Sequence, residues 1–152
     1  SIDQASRTAA NLSLAGALSG KTSDELDSLY DAYRSMDNIG FSIDQASRTA
    51  SLLVYATILN PEYNTPTVIQ NFYNSFRSMD NMGFSKDAAS EVSATLTIAT
   101  VLNQGNQNEV IDMYKRFRSE DNIGFSKDQA SRTAAQLTLA TVMREEGYRL
   151  QK

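Results

Sequence analysis

The chain contains no histidine, no cysteine and no tryptophan. The first two absences remove whole classes of chemistry. Ser-His-Asp and Cys-His nucleophile systems are excluded, as are Cys/His zinc sites, iron–sulfur clusters and His- or Cys-ligated haem. No cofactor is expected. An excess of basic residues is also missing: 14 Lys and Arg against 18 Asp and Glu give a net charge of −4. Duplex-binding domains usually carry a basic face, and here no Lys/Arg stripe recurs. Lys115, Arg116 and Arg118 make up one helix turn only, so no nucleic-acid partner is expected. No apolar run approaches the roughly 18 residues of a membrane span, so the expectation is a soluble chain with no membrane insertion. The opening residues, Ser1-Ile2-Asp3-Gln4, lack the basic and apolar regions of a signal peptide. Without an initiator Met, the chain is expected to be processed or trimmed. Zero cysteines suit the cytoplasm and an exported protein alike, which leaves localisation open.

What is present is globular material: 152 residues, 41% hydrophobic and 21% charged. A chain of this length is expected to form a single domain over residues 1–152, burying roughly 70% of its extended surface without help from a metal or disulfide. Its dominant feature is internal repetition. Ser1-Ile2-Asp3-Gln4-Ala5-Ser6-Arg7-Thr8 recurs unchanged at Ser42–Thr49, with one change at Ser126–Thr133, and more loosely at Ser85–Val92. These A segments start at residues 1, 42, 85 and 126, a period of 41–43. A second segment, B, ends before each of the last three copies in an Asp-Asn-x-Gly-Phe turn. The order is A-B-A-B-A-B-A, about three and a half copies of one unit.

Both segments read as helices. Ser42 is an N-cap with Gln45 three residues on, the spacing of a capping box, and Phe41 is placed to staple the start of the helix. Asp3, Asp44, Asp87 and Asp128 fall in first turns, where a carboxylate offsets the helix dipole. A helices are expected near 2–18, 43–59, 86–102 and 127–146. B helices are expected at about 23–36, 66–79 and 107–120, the second with Pro66 at its first position. B columns such as Leu26/Ile69/Val110 and Tyr30/Tyr73/Tyr114 follow i, i+3, i+4, i+7 spacing and define one apolar face. A helices carry two apolar stripes. One is small (Ala5/Ala46/Ala89/Ala130 and Ala9/Ala50/Ser93/Ala134); the other is larger (Leu14/Tyr55/Ile98/Leu139 and Leu18/Leu59/Leu102/Met143). Two stripes imply contact on two sides, with A as the inner layer. The expected fold class is all-α: tandem helical-hairpin repeats stacked as a short α-solenoid, with a compact seven-helix bundle as the alternative.

The repeated turn is Asp37, Asn38, Gly40, then Asp80, Asn81, Gly83, then Asp121, Asn122, Gly124. Its oxygens raise the question of calcium, but the EF-hand template fails: with Gly40 at loop position six, position five is Ile39 and position twelve Ala46. A helix–helix turn accounts for the same residues, with Asn38 suited to a left-handed conformation and Gly40 to the bend. Arg7, Arg48 and Arg132, with Gln45 and Gln129, form a ladder on the A helices that would suit an anionic peptide. Ion pairing within the repeat, for example with Asp37-type carboxylates, is the competing and favoured reading. Glu91 breaks the ladder in the third copy. The 60–66 connection, which holds both prolines, breaks the internal symmetry and reads as a loop insertion.

The leading expectation is a non-enzymatic interaction or scaffold module with a protein or peptide partner. A carboxylate-based enzyme or enzyme fragment is one alternative. Another is a self-assembling structural protein, a homo-oligomer formed through exposed end helices. The first A segment lacks a Gly-Phe lead, and the last runs into a charged tail, Arg144–Lys152, expected to act as a polar cap. These ragged ends raise the expectation that the chain is a piece of a longer repeat protein.

Overall fold

The computed structural model describes residues 1–151, with side chains described through residue 147. Among the described residues the chain is all-helical, with seven α-helices and no strand. They are α1 (Ile2–Ser19), α2 (Ser23–Arg34), α3 (Ile43–Ile58), α4 (Pro66–Arg77), α5 (Lys86–Leu102), α6 (Gln107–Arg118) and α7 (Lys127–Gln151). A short 3-10 turn, Pro61–Tyr63, lies between α3 and α4. Residues 148–152 of the expected polar cap lie outside the described side chains.

Side-chain oxygens cap the starts of all seven α-helices. Ser1, Ser42, Ser85 and Ser126 each accept the amide three residues on, at 3.0–3.1 Å. Thr22 and Glu25 form a complete, reciprocal capping box on α2. The expected box at Ser42 is only half formed. The Gln45 side chain turns away to donate to Thr49 Oγ1 at 3.0 Å, as Gln129 does to Thr133, and Ser42 N–H is met by Asp87 instead. The B helices stop two residues earlier than expected. Their last turns tighten to i→i−3 bonds, Met36 N to Tyr33 O at 3.1 Å and Met79 N to Phe76 O at 3.0 Å.

The odd-numbered helices pack against one another in sequence order, α1 on α3, α3 on α5 and α5 on α7. Each even helix lies chiefly on the odd helix that follows it: α2 on α3, α4 on α5, α6 on α7. Small residues at the odd–odd contacts (Ala46, Ala50, Ala89, Ala94, Ala134, Ala135) are buried and allow close approach of the backbones. The core is formed by two clusters of buried residues. One centres on Leu53, Val54, Ile69 and Tyr73, the other on Val92, Leu96, Met113 and Tyr114.

The turn holds two departures from expectation. Phe41 does not staple α3: it is 84% exposed, as Phe84 is 85% exposed and Phe125 fully so. The buried apolar residue of the turn is instead the one before glycine, Ile39 and Met82. Asn38 does not adopt a left-handed conformation; Gln104 is the one non-glycine residue with positive φ among the described residues. The bend is made by glycine, with φ +128° at Gly40, where a Cβ would lie 2.8 Å from Gln45 Cγ. That approach leaves no room on the inner side, so Phe41 leaves the turn facing solvent.

Candidate interaction face

The inner odd helices, α3 and α5, each contact an odd helix on two sides and the even helices on another. Opposite the even helices lies a face on which residues seven apart, two helical turns, recur together: Arg7 with Leu14, Arg48 with Tyr55, Glu91 with Ile98, Arg132 with Leu139. This face therefore has a charged half near the helix starts and an apolar half near the helix ends, with Ile98 itself buried.

On the apolar half, Tyr55 and Leu59 of α3, Ile98 and Leu102 of α5, and Leu139 and Met143 of α7 line a groove of about 380 Å³. Glu146 and Gly147, on the extension of α7 past the end of α5, border it. Leu14 and Leu18 of α1 continue the same two rows and are exposed. The Tyr55 hydroxyl donates to the Asn11 carbonyl at 2.8 Å, fixing the aromatic ring across the α1–α3 contact.

On the charged half, Glu91 is the hub. Arg132 Nε donates to Glu91 Oε2 at 2.6 Å, and Arg48 Nη2 lies 3.3 Å from Glu91 Oε1. The carboxylate that meets these arginines is thus Glu91, and not the Asp37-type groups of the turn. Arg48 keeps 54% of its side chain exposed. Arg7 is exposed, and with Gln4, Asn11 and Arg48 it lines a smaller cleft of about 280 Å³. Of the two glutamines placed in the ladder, Gln45 is buried under its Thr49 bond, whereas Gln129 is exposed and donates to Thr133 Oγ1 at 3.1 Å.

The repeated turns are tied to the helices around them. Asp87 Oδ1 accepts the amides of Phe41, at 2.6 Å, and Ser42, at 3.1 Å. Asp128 Oδ1 does the same for Phe84, at 2.6 Å, and Ser85, at 3.0 Å. Asp44 holds the amino group of Ser1. Partial desolvation would raise the Asp87 and Asp128 carboxyls, but the accepted hydrogen bonds and the nearby Arg132 outweigh it, and both sit below the ordinary Asp value. The Asn38 carbonyl accepts the Tyr73 hydroxyl at 2.5 Å, and the Asn81 carbonyl accepts that of Tyr114. Burial pushes the Tyr73 phenol up to about 12 and raises that of Tyr114. Asp37, Asp80 and Asp121 are exposed and outside these bonds. Among the described residues, no group of three Asp or Glu side chains gathers as a metal ion would require. The 60–66 connection is also engaged: Tyr63 donates to the Gln104 carbonyl at 2.8 Å, and Gly105 leaves room for its ring. The inter-unit role of the first-turn aspartates escaped sequence reasoning. Their presence in all four copies was the available signal.

No family model, no curated protein and no solved structure matches this chain. Among the described residues, no helix is long and apolar enough to cross a membrane.

Proposed function

We propose that the chain is one domain of stacked helical hairpins, a short α-solenoid, that works without catalysis as a docking module for a peptide segment of another protein. Recurrence of the same bonds at the repeat spacing supports the solenoid reading: Asp87 and Asp128 on the preceding turns, Tyr73 and Tyr114 on the Asn carbonyls. Units joined in this way accumulate their faces into one extended binding surface.

The observation that carries the functional reading is the apolar groove over α3, α5 and α7, two turns along the same face from half-exposed Arg48. The matching occupant is an amphipathic segment whose apolar side chains fill the groove and whose acidic flank reaches Arg48 and Arg7. Helix-in-groove recognition has this form. Arginine suits the polar end because its planar donors meet a carboxylate in two places.

Fluorescence anisotropy with labelled amphipathic peptides, acidic-flanked and basic-flanked, tests the reading. Acidic-flanked peptides are expected to bind better. Met143→Asp, at an exposed groove position, is expected to weaken both, with the helical circular dichroism retained. Arg48→Glu is expected to remove the preference for the acidic flank. Binding no better than that of a scrambled peptide, or binding indifferent to Met143→Asp, overturns the proposal.

A further inference from the structure

The charged half of the interaction face holds one residue per odd helix at the same position of the repeat: Arg7, Arg48, Glu91 and Arg132. Where an acid stands in that row, the arginines on either side close on it. Glu91 takes Arg132 Nε at 2.6 Å on one carboxylate oxygen and Arg48 Nη2 at 3.3 Å on the other. Between α1 and α3 the row instead sets arginine beside arginine. Arg7 and Arg48 line one cleft of about 280 Å³ with Gln4, Ala10 and Asn11, and no carboxylate lines it. Arg7 makes no ion pair among the described residues. It lies close enough to Asp44 to favour the charged carboxylate there, but Asp44 holds the Ser1 amino group. Like charges on neighbouring helices repel, so packing does not account for the pair.

Glu91 shows how the row receives an anion, and the charge balance points to the kind that fits between Arg7 and Arg48. Three arginines against one glutamate leave the row with two surplus positive charges. A side-chain carboxylate would cancel one of them. A phosphomonoester carries about −1.5 to −2 at neutral pH and offers three acceptor oxygens, which matches the surplus. Donors suffice as well. Arg48 gives one nitrogen to Glu91, keeps 54% of its side chain exposed, and like Arg7 carries five N–H groups in all. The cleft also adjoins the apolar groove. Asn11 lines the cleft, Tyr55 lines the groove, and the Tyr55 hydroxyl donates to the Asn11 carbonyl at 2.8 Å. Arg48 precedes Tyr55 by two helical turns, roughly 10 Å along α3.

We infer that this cleft is a phosphate site, in which Arg7 and Arg48 clasp the phosphomonoester of a phosphorylated serine or threonine on the flank of the docked peptide. The peptide part of the inference rests on the groove reading; the phosphate part stands on the arginine pair. A protein partner is favoured over an anionic membrane because the apolar groove adjoins the cleft. The chain as a whole also carries a net charge of −4, which opposes a broad anionic surface.

Three labelled peptides test it, sharing one amphipathic core and differing at a single residue seven positions from the last apolar anchor: phosphoserine, glutamate or serine. In anisotropy titrations at about 0.15 M salt, the phosphoserine peptide is expected to bind about tenfold tighter than the serine peptide, with the glutamate peptide between them. Arg7→Glu gives α1 the residue that α5 already places beside Arg48. It is expected to keep the native circular dichroism, to fill the site with its own carboxylate and to erase that order. A second arm uses phenyl phosphate alone, followed through the Nε–Hε NMR signals of the arginines. Saturable shifts at Arg7 and Arg48, lost in Arg7→Glu, are expected. If no peptide binds but these shifts appear, the groove reading fails and the phosphate site stands. Measurable but equal affinity of the phosphoserine and serine peptides overturns the inference. So does phenyl phosphate that shifts neither Arg7 nor Arg48, or all arginines alike, and so does a preference for phosphoinositide-containing vesicles over the phosphoserine peptide.

Discussion

Residues 1–8 and 42–49 are the same eight amino acids, folded into the same first turns of a helix, yet their surroundings differ. Gln4 and Gln45 are both buried and both donate to a threonine four residues on, at 3.2 and 3.0 Å. Ala5 and Ser6, in contrast, are exposed where Ala46 is buried and Ser47 half-buried. The difference extends up the helices, from exposed Ala9 to fully buried Ala50. Both copies have a following odd helix, and only α3 has a preceding one. Local sequence sets the helix and its cap; the neighbour alone decides which side of it becomes core.

The sharpest way to break the comparison is to place one charge at both positions. Ala50→Arg forces a guanidinium into a packed, 0% exposed site and is expected to cost more than about 4 kcal/mol, enough to unfold a marginal chain. Ala9→Arg in the same sequence context is expected to stay within about 0.5 kcal/mol. Urea denaturation of the two variants reads the contrast directly.

A smaller effect separates the aspartates. Asp87→Ala removes an acceptor from two turn amides and is expected to cost about 1–2 kcal/mol, the range for losing a helix cap. Asp3→Ala is expected to leave monomer stability unchanged. The pH dependence has a definite sign. Asp87 and Asp128 have folded values depressed below the usual 3.8, so their contribution is present above that value and is lost as pH falls through the folded one. The gap between the parent chain and Asp87→Ala should therefore narrow in urea titrations carried from pH 7 to pH 3.

The smallest effect is spectroscopic. Tyr33 hydrogen-bonds to Thr57 at 2.5 Å, and burial pushes its phenol up to about 12, as it does for Tyr73. Ionisation followed at 295 nm should show these two phenols titrating about two units above the usual 10. A raised folded value means that the stabilisation is intact below pH 10 and is lost as pH rises toward 12. Replacing Thr57 with Val removes the hydroxyl partner and is expected to raise the Tyr33 value further.

Much of this was legible from residues close together in the chain. Serine caps, Pro66 and the i, i+3, i+4, i+7 columns located all seven helices to within a few residues, because they report on local hydrogen bonding and on a single face. Contacts across units were not legible. Asp87 reads as a helix-dipole residue until its partners, more than forty residues away, are known. Phe41 reads as a staple because a local rule assigns it to the helix it precedes, whereas the glycine bend turns it outward. In the ladder, Glu91 looked like an interruption, and it is the shared partner of Arg48 and Arg132.

Units this similar can pair with the wrong neighbour while the chain folds, a known failure of repetitive sequences. α1 and α3 open with identical residues, and α7 departs from them by one in its first eight, so those stretches scarcely distinguish right from wrong partners. Glu91 does distinguish them. Between α3 and α7 its largely covered carboxylate meets two guanidinium groups. In any misthreaded order that brought α7 against α3, Arg48 would face Arg132 with like charges, and Glu91 would lose a counter-ion. One reversed charge in an otherwise interchangeable series thus serves as an order mark, making the correct sequence of units the one that settles lowest.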